Sequence, residues 1–157
     1  MGNVTLMRFR ALFLFGFFFA SLLIGSCSKG LSTEKLETRL IGTWKVEQVK
    51  FKRNGCYKDV TQNFNQYKFT YAADGTLILV DTKVGESHEG YWYIDEEYVW
   101  DEEDQENDLV QTLIMAVYNT DANLWRDFRW KDLSVSNSKL KSTERRDGRR
   151  YKWELVR

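Results

Sequence analysis

From Trp44 onward, apolar side chains recur at every second position in short runs, and the turns between runs are too short to hold a crossover helix. Trp44, Val46 and Gln48 fall on one phase and Lys45 and Glu47 on the other, as in a strand with one face in a core. Tyr67, Phe69 and Tyr71 repeat the pattern. Ala73-Asp74-Gly75 then supplies a residue free to take positive φ, and Thr76 to Asp81 resumes as an apolar strand. His88 to Ile94 follows Lys83-Val84-Gly85-Glu86, Leu109 to Tyr118 is a longer run rich in β-branched residues, and Leu124 to Trp130 and Leu133 to Val135 come next. The last hairpin runs from Leu140 to Arg146, turns at Asp147-Gly148 and returns with Tyr151, Trp153 and Leu155 alternating with Arg150, Lys152 and Glu154. Strands joined this closely have to be antiparallel, and a meander of about eight of them avoids open edges by closing on itself. The expected fold is therefore all-β, an antiparallel up-and-down meander closing into a barrel of about eight strands. The chain contains no proline, which suits unbroken ladders. Ahead of the first strand, Leu36, Leu40 and Ile41 lie at helical spacing and predict a short helix.

The first 26 residues obey a different rule. Arg8 and Arg10 precede an uncharged run from Ala11 to Ser26, apolar through Leu23 and ending in small residues, which is the organisation of a secretory signal peptide. The run is short for a membrane span, which needs roughly 20 apolar residues. Leu23-Ile24-Gly25-Ser26-Cys27 resembles the bacterial lipobox, which implies cleavage before Cys27 and acylation of that cysteine. Residues 1–26 are then a leader, 27–35 a lipidated tether and 36–157 the folded domain. The partner this implies is a membrane, engaged through N-terminal acyl chains. By the sorting rules that accompany the lipobox, Ser28 in place of Asp implies the outer membrane. The lack of acidic residues before Glu34 implies its periplasmic face.

Leu40-Ile41-Gly42-Thr43-Trp44, opening the first strand after a short helix, resembles the Gly-x-Trp signature of lipocalins. Together with Phe69-Thr-Tyr-Ala-Ala-Asp-Gly-Thr76 and Gly90-Tyr91-Trp92, it is similar to the lipocalin-like domain of lipoproteins of the Bacteroidota type, over residues 36–157. The resemblance implies a calycin barrel in which Gly42 lets the chain turn into the barrel floor and Trp44 plugs the closed end under an arginine of the last strand. Arg157 and Arg150 are both candidates for that arginine.

Charge and chemistry narrow the function. The chain carries 23 basic and 23 acidic side chains, and both basic residues ahead of Cys27 belong to the leader, so the remainder is slightly acidic. A domain without a basic stripe lacks the footprint of a nucleic-acid binder, and none is expected as partner. With Cys27 acylated, Cys56 has no intrachain partner and reads as a turn or edge residue. His88 is the sole histidine, and neither a nucleophile elbow nor a phosphate-cradling loop is present, so no catalysis and no cofactor are expected. Nine of the fourteen residues from Asp95 to Asp108 are acidic, but the spacing lacks the turn of a Ca²⁺ loop, and the stretch reads as a solvated loop. The basic residues Lys139, Lys141, Arg145, Arg146, Arg149, Arg150 and Lys152 are expected to project outward from the last hairpin, towards that acidic stretch or lipid phosphates.

Eighteen aromatic residues follow Cys27. On the phases above, Trp44, Val46, Phe69, Leu79, Trp92, Leu113, Met115, Trp153 and Leu155 point inward. Of these, Phe69, Leu79, Trp92, Leu113, Met115 and Trp153 are the candidate ligand-binding set. Two readings of the interior follow: a barrel filled by its own side chains, or one holding a narrow pocket for a small apolar or amphipathic ligand at the open end. They correspond to two functions, a membrane-held ligand binder and an adaptor that meets another envelope protein through its outer surface.

Overall fold

The computed structural model describes residues 31–102, 105–119 and 124–157. The leader, Cys27 and Ser28 lie outside the described residues. The chain enters through α1 (Thr33–Leu40), which buries Leu36 and Leu40, one turn apart, against the barrel. Glu34 in its first turn and Arg39 in its last suit the helix dipole. Ile41 leaves helical geometry, and Gly42 takes a φ of 125°, open to glycine and strained for other residues, to start β1 (Gly42–Arg53).

Eight further strands follow: β2 (Cys56–Asp59), β3 (Tyr67–Tyr71), β4 (Thr76–Asp81), β5 (Glu86–Asp101), β6 (Glu106–Asn119), β7 (Leu124–Val135), β8 (Lys139–Arg146) and β9 (Arg149–Val156). Each of β3 to β8 pairs antiparallel with the next, and β1 joins β9 to close the sheet. Eight strands, β1 and β3 to β9, form a closed calycin-like barrel, and β2 is additional. One edge of β1 is shared: its start pairs with β3, from Gly42↔Tyr71 to Lys45↔Lys68, and its end with β2, from Lys50↔Asp59 to Arg53↔Cys56. All four residues of β2 are exposed, so no alternation marks it, and Cys56 is its first residue rather than a turn.

Two bulges correct the simple alternation. In β1 the register shifts between Val46 and Gln48, so Val49 is the next residue to enter the core. Gln48 does not share the face of Trp44 and Val46; its side-chain amide donates to Asp59 Oδ2 at 3.1 Å. In β7 the shift falls between Lys131 and Ser134, with Asp132 at φ 51°, so the two expected strands there are one bent strand.

The acidic stretch is also corrected. Among the described residues, 95–101 and 106–108 are strand rather than loop: the ladder from Gly90↔Val117 continues to Asp101↔Glu106. Neither face of this segment is buried, Tyr98, Val99 and Trp100 all being exposed, and what holds it as strand is its pairing with β6. Pairing of β4 to β5 ends at Tyr91 and that of β7 to β6 at Leu113, so beyond them β5 and β6 leave the barrel as a two-stranded ribbon. Where the ribbon joins the barrel, Gly90 is required: a Cβ there lies 1.8 Å from the Ala116 carbonyl oxygen.

The barrel is plugged at the α1 end. Trp44 is fully buried, and its indole N–H donates to the Leu40 carbonyl at 2.7 Å. Arg157 lays its guanidinium 4.6 Å from the centre of that ring and donates to the carbonyls of Arg39 (2.6 Å) and Ile41 (2.9 Å). Arg157 is therefore the covering arginine; Arg150 pairs with Asp132 at 3.1 Å instead. Removing the indole deletes a full core side chain and frees the Arg157 contact. Trp44→Ala is expected to cost about 3–5 kcal/mol in denaturant unfolding. A loss below about 1 kcal/mol would show that the indole does not plug the barrel.

Candidate functional site

All nine residues expected to point inward are buried, yet they do not fill the barrel evenly. Towards the plug the packing is complete. Tyr71 and Trp92 meet edge to face at 5.5 Å, and the Trp92 indole donates to the Ala72 carbonyl at 3.0 Å. The Tyr71 hydroxyl donates to Met115 Sδ at 3.1 Å, and burial pushes its phenol above the usual range, so it stays protonated. One layer higher, Trp130 lies between Phe69 (ring centres 5.4 Å apart) and Trp153 (5.1 Å, stacked).

Above this layer the interior opens. A cavity of about 310 Å³ is lined by Phe64, Tyr67, Phe69, Leu79, Phe128 and Trp153, with Arg126, Asp127 and Arg146 around it. Its walls come from the first residues of β3 and β7 and the last of β4 and β8, placing it at the barrel end opposite α1. Phe64 reaches it through a local device. Asp59 Oδ1 accepts the backbone N–H and hydroxyl of Thr61 at 2.9 and 2.6 Å, which holds the Asp59 carboxyl below its ordinary pKa. The 3₁₀ turn Thr61–Asn63 follows and brings Phe64 edge-on to Trp153, ring centres 5.0 Å apart.

A buried polar cluster supports the same wall. Glu144 is 4% exposed and points into the barrel. Its Oε2 accepts the Trp153 indole N–H at 3.0 Å, and its Oε1 accepts Nε and Nη2 of Arg146 at 3.1 and 2.6 Å. Arg146 in turn lies over the Phe128 ring, 5.1 Å from its centre. Two aromatic walls, Trp153 and Phe128, are thus tied to one carboxylate.

Of the six candidate ligand-binding residues, Phe69, Leu79 and Trp153 line the cavity. Trp92, Leu113 and Met115 do not; they belong to the packed part below it. Inward phase selects a face of the sheet but not a height along the barrel, and only the upper inward residues reach open space. Phe64, Tyr67, Arg126, Phe128 and Arg146 are additional lining residues. Leu140, Ser142, Glu144 and Arg146 share one phase of β8, and that phase was the available signal for the last two. Arg146 accordingly does not project outward with Arg145. Nor do the described ion pairs join the basic hairpin to the acidic stretch. Lys139 pairs with Glu154 and with Glu47 (3.3 Å), and Lys141 approaches Glu154 at 3.6 Å. These contacts raise the pKa of Lys139 and lower that of Glu154. Among the described residues no group of three or more His, Cys, Asp and Glu is placed to hold a metal ion. No described helix is long and apolar enough to cross a membrane.

Glu144→Ala leaves the buried Trp153 indole without its acceptor and is expected to cost about 2–3 kcal/mol. Glu144→Gln keeps an acceptor there and is expected to lose roughly half as much, the Arg146 side of the pair being partly open to solvent. Denaturant unfolding of both variants is the check, and equal losses would mean that hydrogen bonding at this carboxylate does not matter. No family profile, curated protein or solved structure matches this chain.

Proposed function

We propose that this protein is a membrane-anchored binder of a small apolar or amphipathic ligand, held in the aromatic cavity at the open end of its barrel. The observation that carries the reading is the cavity itself. Its volume, about 310 Å³, is at the lower end of small-molecule sites, and its aromatic walls meet a few fixed polar groups. A barrel filled throughout would leave no such space. The anchor in this reading is acylated Cys27. The setting that fits the leader is the periplasmic face of an outer membrane.

The adaptor reading has an observation of its own. On the outer face, Tyr91 lies against Tyr93 (6.3 Å) and Trp125 (5.8 Å), and Trp125 against Tyr118 (5.4 Å), leaving exposed aromatic surface across β5, β6 and β7.

Titration of residues 31–157 with Nile red, a neutral solvatochromic dye, separates the two. Saturable one-to-one binding with quenching of Trp fluorescence is expected. It should be abolished by Leu79→Trp, which fills the cavity, and kept by Ile78→Trp, which faces outward on the same strand. Binding that survives Leu79→Trp in a folded variant, or no binding at all, would leave the outer aromatic face as the better candidate. For the anchor, the full chain should sediment with membranes and its Cys27→Ala variant should not; a variant that still pelleted with the parent would rule out acylation as the tether.

A further inference from the structure

The two arginines at the cavity are not equivalent. Arg146 has Nε and Nη2 committed to Glu144 Oε1, and its guanidinium plane covers Phe128. With Glu144 it forms a neutral pair. Arg126 stands two residues before Phe128 and four before Trp130 on β7, on the same inward phase, at the mouth of the cavity. It has no hydrogen-bond or ion-pair partner among the described residues. Asp127 also borders the mouth, on the alternate phase of β7. The cavity thus presents apolar walls below and, above them, a guanidinium with no partner among the described residues.

Resting on the ligand-binding reading above, we propose that the ligand is an anionic single-chain amphiphile whose head group is received by Arg126. The tail lies among Phe64, Phe69, Leu79 and Phe128. A guanidinium offers a planar fork of N–H donors that matches a carboxylate. Arg146 and Glu144 act as positioning residues, holding Phe128 and Trp153 in place as walls without competing for the head group. The neutral pair also explains why a second arginine can sit beside the cavity without adding a second anion site.

The experiment uses three probes with one ten-carbon tail and different heads: decanoate, decanol and decyltrimethylammonium. Each displaces Nile red from the folded domain. Decanoate is expected to bind about tenfold more tightly than decanol, the worth of one charge-assisted hydrogen-bonded contact at a partly solvated site. Decyltrimethylammonium is expected to bind least. The decanoate preference should shrink as salt is raised, because the mouth is open to solvent. Arg126→Gln should bring decanoate to the level of decanol and leave decanol unchanged. Arg126→Glu should invert the order in favour of the ammonium, and Arg129→Gln, on the outer face of β7, should change nothing. Equal binding of all three probes to the parent, or a decanoate preference that survives Arg126→Gln, would overturn the head-group assignment while the cavity still bound tails. Failure of every probe, Nile red included, would overturn the ligand-binding reading and this inference with it.

Discussion

The Trp44 indole, clamped between the Leu40 carbonyl and the Arg157 guanidinium, is the contact on which the rest of the barrel depends. With the Arg157 hydrogen bonds to Arg39 and Ile41 and the β1–β9 pairing, it joins the end of α1, the start of β1 and the residue that follows β9. An eight-stranded barrel has two ends, and both admit water unless something covers them. Here one end is shut by an aromatic ring with its N–H satisfied and its face covered by a cation, so no buried donor is left unpaired at the plug. Gly42 makes the arrangement possible. Its φ of 125° lets β1 start directly beneath the ring, and the space a Cβ would approach is held by the Arg157 side chain at 3.8 Å.

Closing one end decides where the polar groups of the interior can go. Near the plug the satisfied contacts are few and short, such as Tyr71 to Met115 and Trp92 to Ala72. Towards the open end a full charge is tolerated, because Glu144 is met on one side by Trp153 and on the other by an arginine that reaches solvent. The interior is graded, from dry packing through one hydrogen-bonded carboxylate to a cavity with charges around its mouth. Desolvation penalties fall along the same axis, which is why an ion pair stands here and not lower down.

Alternation in the sequence was enough to place most strands, the inward phase and the plug, because those depend on local patterning that tertiary context does not reverse. What escaped it has identifiable causes. A bulge after Val46 changed the phase of β1 without any glycine or proline to announce it. β2 is exposed on both faces, so periodicity had nothing to report. The acidic residues from Asp95 onward hid a strand because the ribbon they form leaves the barrel and keeps both faces near water. The choice between Arg157 and Arg150 rested on which end of β9 meets α1 and on Asp132 of β7 standing beside Arg150, relations between elements that no single run of residues contains. For the cavity, the missing quantity was height along the barrel axis. Phe64 escaped because it lies on a connection, held there by a turn centred on Asp59 and Thr61.

The meander also sets an order of assembly. Eight of the nine pairings join strands that are neighbours in sequence or nearly so, and each closes a small loop with little entropic cost. The seam between β1 and β9 is different in kind: Arg157 and Arg39, which meet across it, are 118 residues apart in the chain. Contacts of such separation slow folding, since the entropy of bringing the ends together is lost before any favourable contact forms. The open sheet can therefore build up by successive hairpins, while the seam, the plug and the dry interior form together in a single late step. Until that step, the inward aromatics of β1, β3, β5, β7 and β9 face solvent along an unclosed edge, and the time spent there sets the exposure of this chain to aggregation.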